Sequence, residues 1–213
     1  SSSPTDAGSG VVLICNKDGS ISANFGAVEI GPGMKTTIGQ IIAEKMKMSI
    51  DDIHIFMDVD TRVTPKHWKT VASMSTFMVG NAAVDACEDL IRQIKEVASI
   101  ALKCPVGDID IGGKRAFVKA DPSKFVNFKD ISHGYKYMEG PSIYGELIGR
   151  GNYIVKHLLP LDYDTGKGKS GVSWTVGAQG VEIEYNPKIH TYRLLRAITV
   201  IDLGRLINRK MAQ

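Results

Sequence analysis

The chain has three cysteines, Cys15, Cys87 and Cys104, and neither a Cys-x-x-Cys pair nor a His–Cys cluster. Their odd number and wide spacing exclude a zinc or iron–sulfur site held by this chain, and reduced thiols in a cytoplasmic protein are the simplest account. No apolar run approaches the ~20 residues that a membrane-spanning helix needs. The opening SSSPTDAGSG lacks both the basic flank and the apolar core of a signal peptide. Charge of one sign is scarce as well: the net charge of +3 is small and dispersed, which argues against a nucleic-acid partner, where a concentrated basic face is required.

Several catalytic signatures are also missing. Gly168-Lys169-Ser170 fails as a phosphate-binding P-loop because Tyr163 stands where the first glycine belongs. No Gly-x-Ser-x-Gly elbow occurs. A dinucleotide fingerprint is excluded on the reading that the glycine-rich loop follows a hairpin instead of opening a strand–helix–strand unit. His54, His67, His133, His157 and His190 are scattered without metal-ligand spacing and read as surface or packed histidines. Asp58 and Asp60, with Glu29, could form a carboxylate cluster, although Asp-x-Asp at a strand end more commonly makes a turn.

What is present is ordinary in amount and patterned in order. A hydrophobic fraction of 43% and a charged fraction of 23% over 213 residues fit one large globular domain or two small ones. Residues 11–16 and 21–25 flank Asp18-Gly19, a strong hairpin signal. Ile38, Ile41, Ile42 and Met46 share one helical face over 36–47, and 53–59 alternates as a strand. The longest helical pattern runs from Ser73 to about Lys103 and stops at Cys104-Pro105. Its Gly80-Asn81-Ala82-Ala83 stretch is small enough for another element to approach closely. Two short strands are expected around Gly112-Gly113, a short helix near 128–132, a strand within 144–154, and a long hairpin from 172–185 and 192–202. In that hairpin Val181, Ile183 and Tyr185 alternate with Glu182 and Glu184, a half-exposed pattern. The fold class is α+β: β-hairpins and a mixed sheet packed with two main helices.

The stretch FGAVEIGPGMKT, Phe25 to Thr36, organises the rest. Gly26, Gly31, Pro32 and Gly33 surround one carboxylate, Glu29, and a helix with threonine caps is expected directly after them. A bare-backbone turn feeding a helix N-terminus can receive an anionic group; a plain strand-to-helix turn is the alternative. A second such start stands at Ala72-Ser73-Met74-Ser75-Thr76, where the alternative is an ordinary serine N-cap.

These residues resemble the molybdenum-binding subunit of the xanthine dehydrogenase and aldehyde oxidase family. The likeness lies in Asp18-Gly19-Ser20, in the run from Glu29 to Thr36, and in Gln40-Ile41-Ile42-Ala43-Glu44. It continues through Asp58-Val59-Asp60-Thr61, Ala72 to Thr76, Gly80-Asn81-Ala82, Gly177-Ala178-Gln179, Val181-Glu182-Ile183-Glu184 and Asp202 to Asn208. Each motif is loose alone; the ordered set, covering about 11–213, is specific. The resemblance implies hydroxylation of a carbon in a purine-type heterocycle or an aldehyde, with water as the oxygen source. It further implies molybdopterin, as such or as its cytosine dinucleotide, with molybdenum, and FAD and 2Fe-2S centres on partner domains or subunits.

In that family a Glu-x-Gly-Gln-Gly loop and a serine-containing helix start hold the cofactor. The resemblance carries this role to Glu29, Gly31, Pro32 and Gly33, and to Ala72, Ser73, Met74, Ser75 and Thr76. Glu29 would accept backbone N–H bonds within its loop, and Ser73 and Ser75 would donate to the cofactor. Pro32 departs from the family's glutamine and offers neither an amide nor an N–H. The family's catalytic glutamate is expected beyond Gln213, so no catalytic or metal-ligating residue is assigned. The expected organisation is a flexible leader over 1–10 and a partial molybdopterin-binding domain over 11–213, with a candidate sub-boundary near 105–145. A fragment inactive alone is expected, partnered by the rest of its subunit and exposing apolar surface that could also seat a second copy. The competing reading is a noncatalytic homologue or assembly module that keeps the fold without the cofactor.

Overall fold

Asp18 and Gly19 make the first turn of the computed structural model, which describes residues 7–71, 73–138 and 140–212. The Asp18 carboxylate accepts from the Ser20 backbone N–H at 2.9 Å and from its hydroxyl at 2.6 Å. Gly19 takes the left-handed conformation, φ 81°, that the turn requires. This turn joins β1 (Gly8–Cys15) to β2 (Ile21–Phe25) in antiparallel register, Val11 facing Phe25. Because β1 begins at Gly8, residues 8–10 of the segment expected as a leader are strand.

After β2 come α1 (Met34–Met46) and β3 (Ile53–Phe56). β3 pairs with β2 in parallel, so α1 is a crossover connection. The unit is strand–helix–strand after all, contrary to the reading that excluded one. Parallel neighbours require such a crossover, and a strand can belong to a hairpin on one side and a crossover on the other. α2 (Met74–Leu102) follows. Then come β4 (Ile109–Gly112), β5 (Arg115–Val118) and β6 (Asp121–Asn127), an antiparallel three-stranded sheet. α3 (Phe128–Ile131), β7 (Tyr135–Lys136), β8 (Ser142–Ile143) and β9 (Ile148–Ile154) complete the unit that ends at His157.

The main sheet runs β3-β2-β1-β9. Its core-facing residues Val11, Leu13, Ile21, Ala23 and Phe25 are buried with Ile38, Ile42 and Met46 of α1 and with Val79, Ala83, Cys87, Leu90 and Ile94 of α2. Cys15 and Cys87 lie in this core, and burial pushes both thiols up to about 12. They are therefore inert at neutral pH.

β9 is an edge strand, and α2 both packs on it and closes its edge. Gly149 and Gly151 stand opposite Leu13 and Val11, on the core face, where the backbone of Ala82, Ala86 and Leu90 comes too close to admit any side chain. Of the Gly80-Asn81-Ala82-Ala83 stretch expected to allow close approach, Ala82 meets β9 and Gly80 meets Ile41 of α1. Alternate residues of β9 turn their N–H groups outward. Asn152 donates to Asp85 at 2.9 Å, Arg150 to Asp89 at 3.0 Å, and Ile148 to Gln93, which returns a 2.7 Å bond to the Ile148 carbonyl. Four helical residues rise ~6 Å and two strand residues ~6.6 Å, so one row of helix side chains serves as a neighbouring strand would and satisfies the edge.

A second unit begins at Leu158. It holds β10 (Val176–Asn186), β11 (Thr191–Asp202) and α4 (Arg209–Ala212). β10 and β11 pair antiparallel with a register shift at Glu182/Ile183. Every residue of the ribbon is exposed, including Val181 (57%), Leu194 (56%) and Val200 (64%). The half-exposed pattern is therefore exposed on both faces, because no second layer covers the strands among the described residues. No helix among the described residues is long and apolar enough to cross a membrane.

Candidate functional site

Glu29 builds the glycine loop from inside. One oxygen of its carboxylate accepts the N–H groups of Gly31 and Gly33, each at 3.0 Å, and the other accepts that of Lys35 at 3.3 Å. Gly31 (φ 105°) and Gly33 (φ 74°) are left-handed, a geometry costly for any residue with a Cβ. Pro32 between them has no N–H to offer. Partial desolvation would raise the Glu29 carboxyl, but the N–H groups of Gly33, Lys35 and Gly31 together hold it below the usual range.

This geometry corrects two expectations. Thr36 and Thr37 are not caps, because α1 starts at Met34 and its N-cap position is Gly33, which has no side chain to cap with. Nor are the N–H groups of Gly31, Gly33 and Lys35 free for an outside anion. The chain's own carboxylate already occupies the helix start, where a negative charge is favoured.

The second start is different. Ser73 sits at the N-cap of α2 in the left-handed region, φ 60°, with no side-chain capping bond, so the ordinary serine N-cap is not what forms. A left-handed serine is uncommon, and such outliers concentrate at functional sites. Met74 N–H reaches the Val71 carbonyl at 2.9 Å. The N–H groups of Ser75 and Thr76 lie in the first turn, which no helical carbonyl serves. Ala72 lies outside the described residues.

The two starts are tied together. Val28 N–H donates to Thr70 Oγ1 at 3.1 Å, and Thr76 Oγ1 donates to Met34 Sδ at 3.4 Å. Between them opens a cleft of about 270 Å3. Ile30, Gly31, Pro32 and Met34 form its apolar wall, and Ser73, Ser75 and Thr76 its polar one. Ile30 is 70% exposed, free to cover a ligand. A larger hollow, about 490 Å3, lies over Lys114, Arg115 and Phe125. Within it Lys114 pairs with Asp52 at 2.8 Å and Arg115 lies over the Phe125 ring at 4.8 Å.

Of the five histidines the structure brings His67 against Ser75, a residue that lines the cleft. His67 lies between Ser9 Oγ (3.0 Å from Nδ1) and Ser75 Oγ (3.2 Å from Nε2). Its isolated position in the sequence gave no sign of this; the partners come from residues 58 and 8 positions away. Burial lowers the His67 pKa below its ordinary 6.5, against a smaller opposing effect from the Lys69 backbone. The unfolded chain therefore takes up a proton first as pH falls, so stability declines from about pH 6.5 downward until the folded-state pKa is reached, and is flat above. Denaturant midpoints between about pH 8 and about pH 5 test this, with His67→Gln expected to flatten the slope. Asp60 does not join Glu29. It forms a turn, pairing with Arg62 at 2.8 Å while its carbonyl accepts from Thr64 at 2.8 Å.

The profile of the molybdopterin cofactor-binding domain matches residues 1–213. The chain is 25% identical over 199 residues to xanthine dehydrogenase 2 of Arabidopsis thaliana, covering 93% of this chain and 13% of that protein. With aldehyde oxidase 1 of Cavia porcellus it shares 24% over 191 residues, 90% of this chain and 12% of the relative. Among solved structures, quinoline 2-oxidoreductase from Pseudomonas putida 86 superposes with a TM-score of 0.74 at 18% identity, over 98% of this chain and 25% of that one. Reconstituted CO dehydrogenase from Oligotropha carboxidovorans gives 0.73 at 23% identity, over 95% and 23%. The chain thus spans less than a fifth of these two curated relatives, and the structural matches are matches of fold. With the α+β architecture and the paired helix starts already described, the full-length profile match makes this chain a member of the molybdopterin cofactor-binding domain family.

Proposed function

We propose that the cleft between the two helix starts is part of a molybdopterin cradle in a molybdenum hydroxylase that acts on a purine-type heterocycle or an aldehyde. The observation that carries this reading is the uncapped α2 start, where Ser73 is left-handed and its side chain makes no capping bond. The residues present fit such a group. Ser73 and Ser75 offer hydroxyls, and Ser75 and Thr76 first-turn N–H groups, to its oxygen-rich side. Ile30, Pro32 and Met34 offer an apolar wall to its flat heterocycle. When bound, the cofactor supplies molybdenum, through which electrons leave the substrate while water provides the oxygen. Glu29 has a bracing role: it uses the loop's N–H groups and keeps Gly31 and Gly33 folded, so that the wall is presented in one shape. Pro32 contributes surface and rigidity in place of the glutamine amide expected there.

The iron–sulfur and FAD centres belong, on this reading, to other domains or subunits of a cytoplasmic enzyme. One relative is named as the gamma subunit of a 6-hydroxypseudooxynicotine dehydrogenase complex, consistent with such an assembly. The second reading, a cofactor-free relative that keeps the fold, draws on Pro32 and on a loop in which Glu29 already takes the Gly31, Gly33 and Lys35 N–H groups. Molybdenum and pterin content of the complete protein, purified with its neighbouring subunits from a host that loads related enzymes, separates the two. Stoichiometric molybdenum supports the hydroxylase; its absence supports the cofactor-free relative.

A further inference from the structure

We propose that His67 is a positioning residue that fixes the Ser75 hydroxyl as a donor toward the cleft, so that the α2 start selects a group presenting a hydrogen-bond acceptor. The inference rests on the reading of the cleft as the cofactor cradle. It is carried by the chain of side chains Ser9–His67–Ser75. Ser75 Oγ donates its single proton toward the Lys69 carbonyl, which can only accept, at 3.4 Å. It follows that Ser75 accepts from His67, 3.2 Å away, and that Nε2 carries the ring proton. Nδ1 is then bare and accepts from the Ser9 hydroxyl at 3.0 Å. Every link donates in one sense, from β1 toward α2. The opposite tautomer would make Ser75 donate to the ring and turn a lone pair to the cleft, which would select donors instead.

The ring is held in this place by backbone. Gly10 N–H donates to the Lys66 carbonyl and Trp68 N–H to the Gly8 carbonyl, both at 3.0 Å, and seat the 66–68 segment along β1. Gly26 makes room for it; a Cβ there would stand 2.5 Å from the Pro65 carbonyl oxygen and 3.1 Å from His67 Cβ. Ser9 and Ser75 are each only 5% exposed, so water does not scramble the sense of the chain. The last link, at 3.4 Å, is long for an O–H donor. Ser75 can therefore transfer its proton from Lys69 to an acceptor in the cleft at little cost.

Two measurements test this. Neutron diffraction from crystals of the complete protein should find the His67 proton on Nε2; a proton on Nδ1 alone overturns the relay. Pterin released per complete protein should then be compared among His67 variants. His67→Gln places an amide N–H near Nε2 and should retain pterin. His67→Asn reaches only toward Ser9 and should lose it roughly fivefold or more, the scale of one hydrogen bond. Ser75→Ala should reproduce that loss if His67→Asn does not fold. Equal pterin in wild type, His67→Asn and Ser75→Ala overturns the positioning role and leaves the cradle standing. Wild type without pterin overturns the cradle and the selection argued from it, while the neutron map still decides the direction of the relay.

Discussion

Gly151→Val is expected to cost the chain its native fold. The position is not one where glycine is needed for its backbone angles, since Gly151 is absent from the left-handed residues among those described. The need is for space. A Cβ at Gly151 would collide with the Ala82 carbonyl oxygen and the Ala86 N, and would stand 2.8 Å from Ala86 Cα. These atoms belong to the backbone of α2 and have no rotamer to change. Overpacking a core typically costs ~1–3 kcal/mol when side chains can shift; here the whole helix must move off β9, so the loss should exceed ~3 kcal/mol. Gly180→Ala on β10, where nothing lies within 4 Å of a new Cβ, should change stability by less than ~0.5 kcal/mol. Denaturant midpoints of the two variants decide the matter, and a Gly151→Val midpoint near that of the wild type would show that α2 can slide.

Glu29→Ala should separate folding from cofactor retention. The loop is exposed, so the N–H groups of Gly31, Gly33 and Lys35 can turn to water, and the thermal midpoint of the whole chain should move little. The loop itself loses the carboxylate that holds Gly31 and Gly33 in left-handed geometry, and with it the placement of Ile30 and Pro32. Pterin content of the complete protein should fall severalfold while circular dichroism stays native. The Glu29 pKa is lowered in the folded chain. Its contribution is therefore present above about pH 4.5, the ordinary glutamate value, and is lost as pH falls through the lower folded value. Glu29→Gln, keeping one carbonyl oxygen, should fall between wild type and alanine at neutral pH. Undiminished pterin in Glu29→Ala would remove the bracing role.

The elements easiest to read were those whose signal is local. Asp18-Gly19 marked the first hairpin, and the apolar stripe of α2 ran nearly to its observed ends. Glu29 as an acceptor of loop N–H groups was legible too, because one carboxylate among glycines has few other partners. β6 was not legible: Pro122 and a register shift break its alternation, and most of its residues are exposed. The parallel pairing of β2 with β3 depends on where α1 packs, which no local pattern encodes. The same holds for the site. The role of His67 follows from contacts with Ser9 and Ser75, and a lone histidine in a polar stretch carries no trace of them.

The row Asp85, Asp89, Gln93 bears on how this chain can change length. Helix and strand run side by side like the two scales of a vernier, drifting by ~0.6 Å at each rung, and they stay in step for the three rungs that are used. Substitutions at these positions alter one rung at a time. A single-residue insertion between Asp85 and Gln93 would rotate part of the row by ~100° and carry its acceptors away from the strand. The edge of β9 would then be open to pairing with other chains. At these three positions α2 can vary in sequence, but insertions and deletions between them are closed to it.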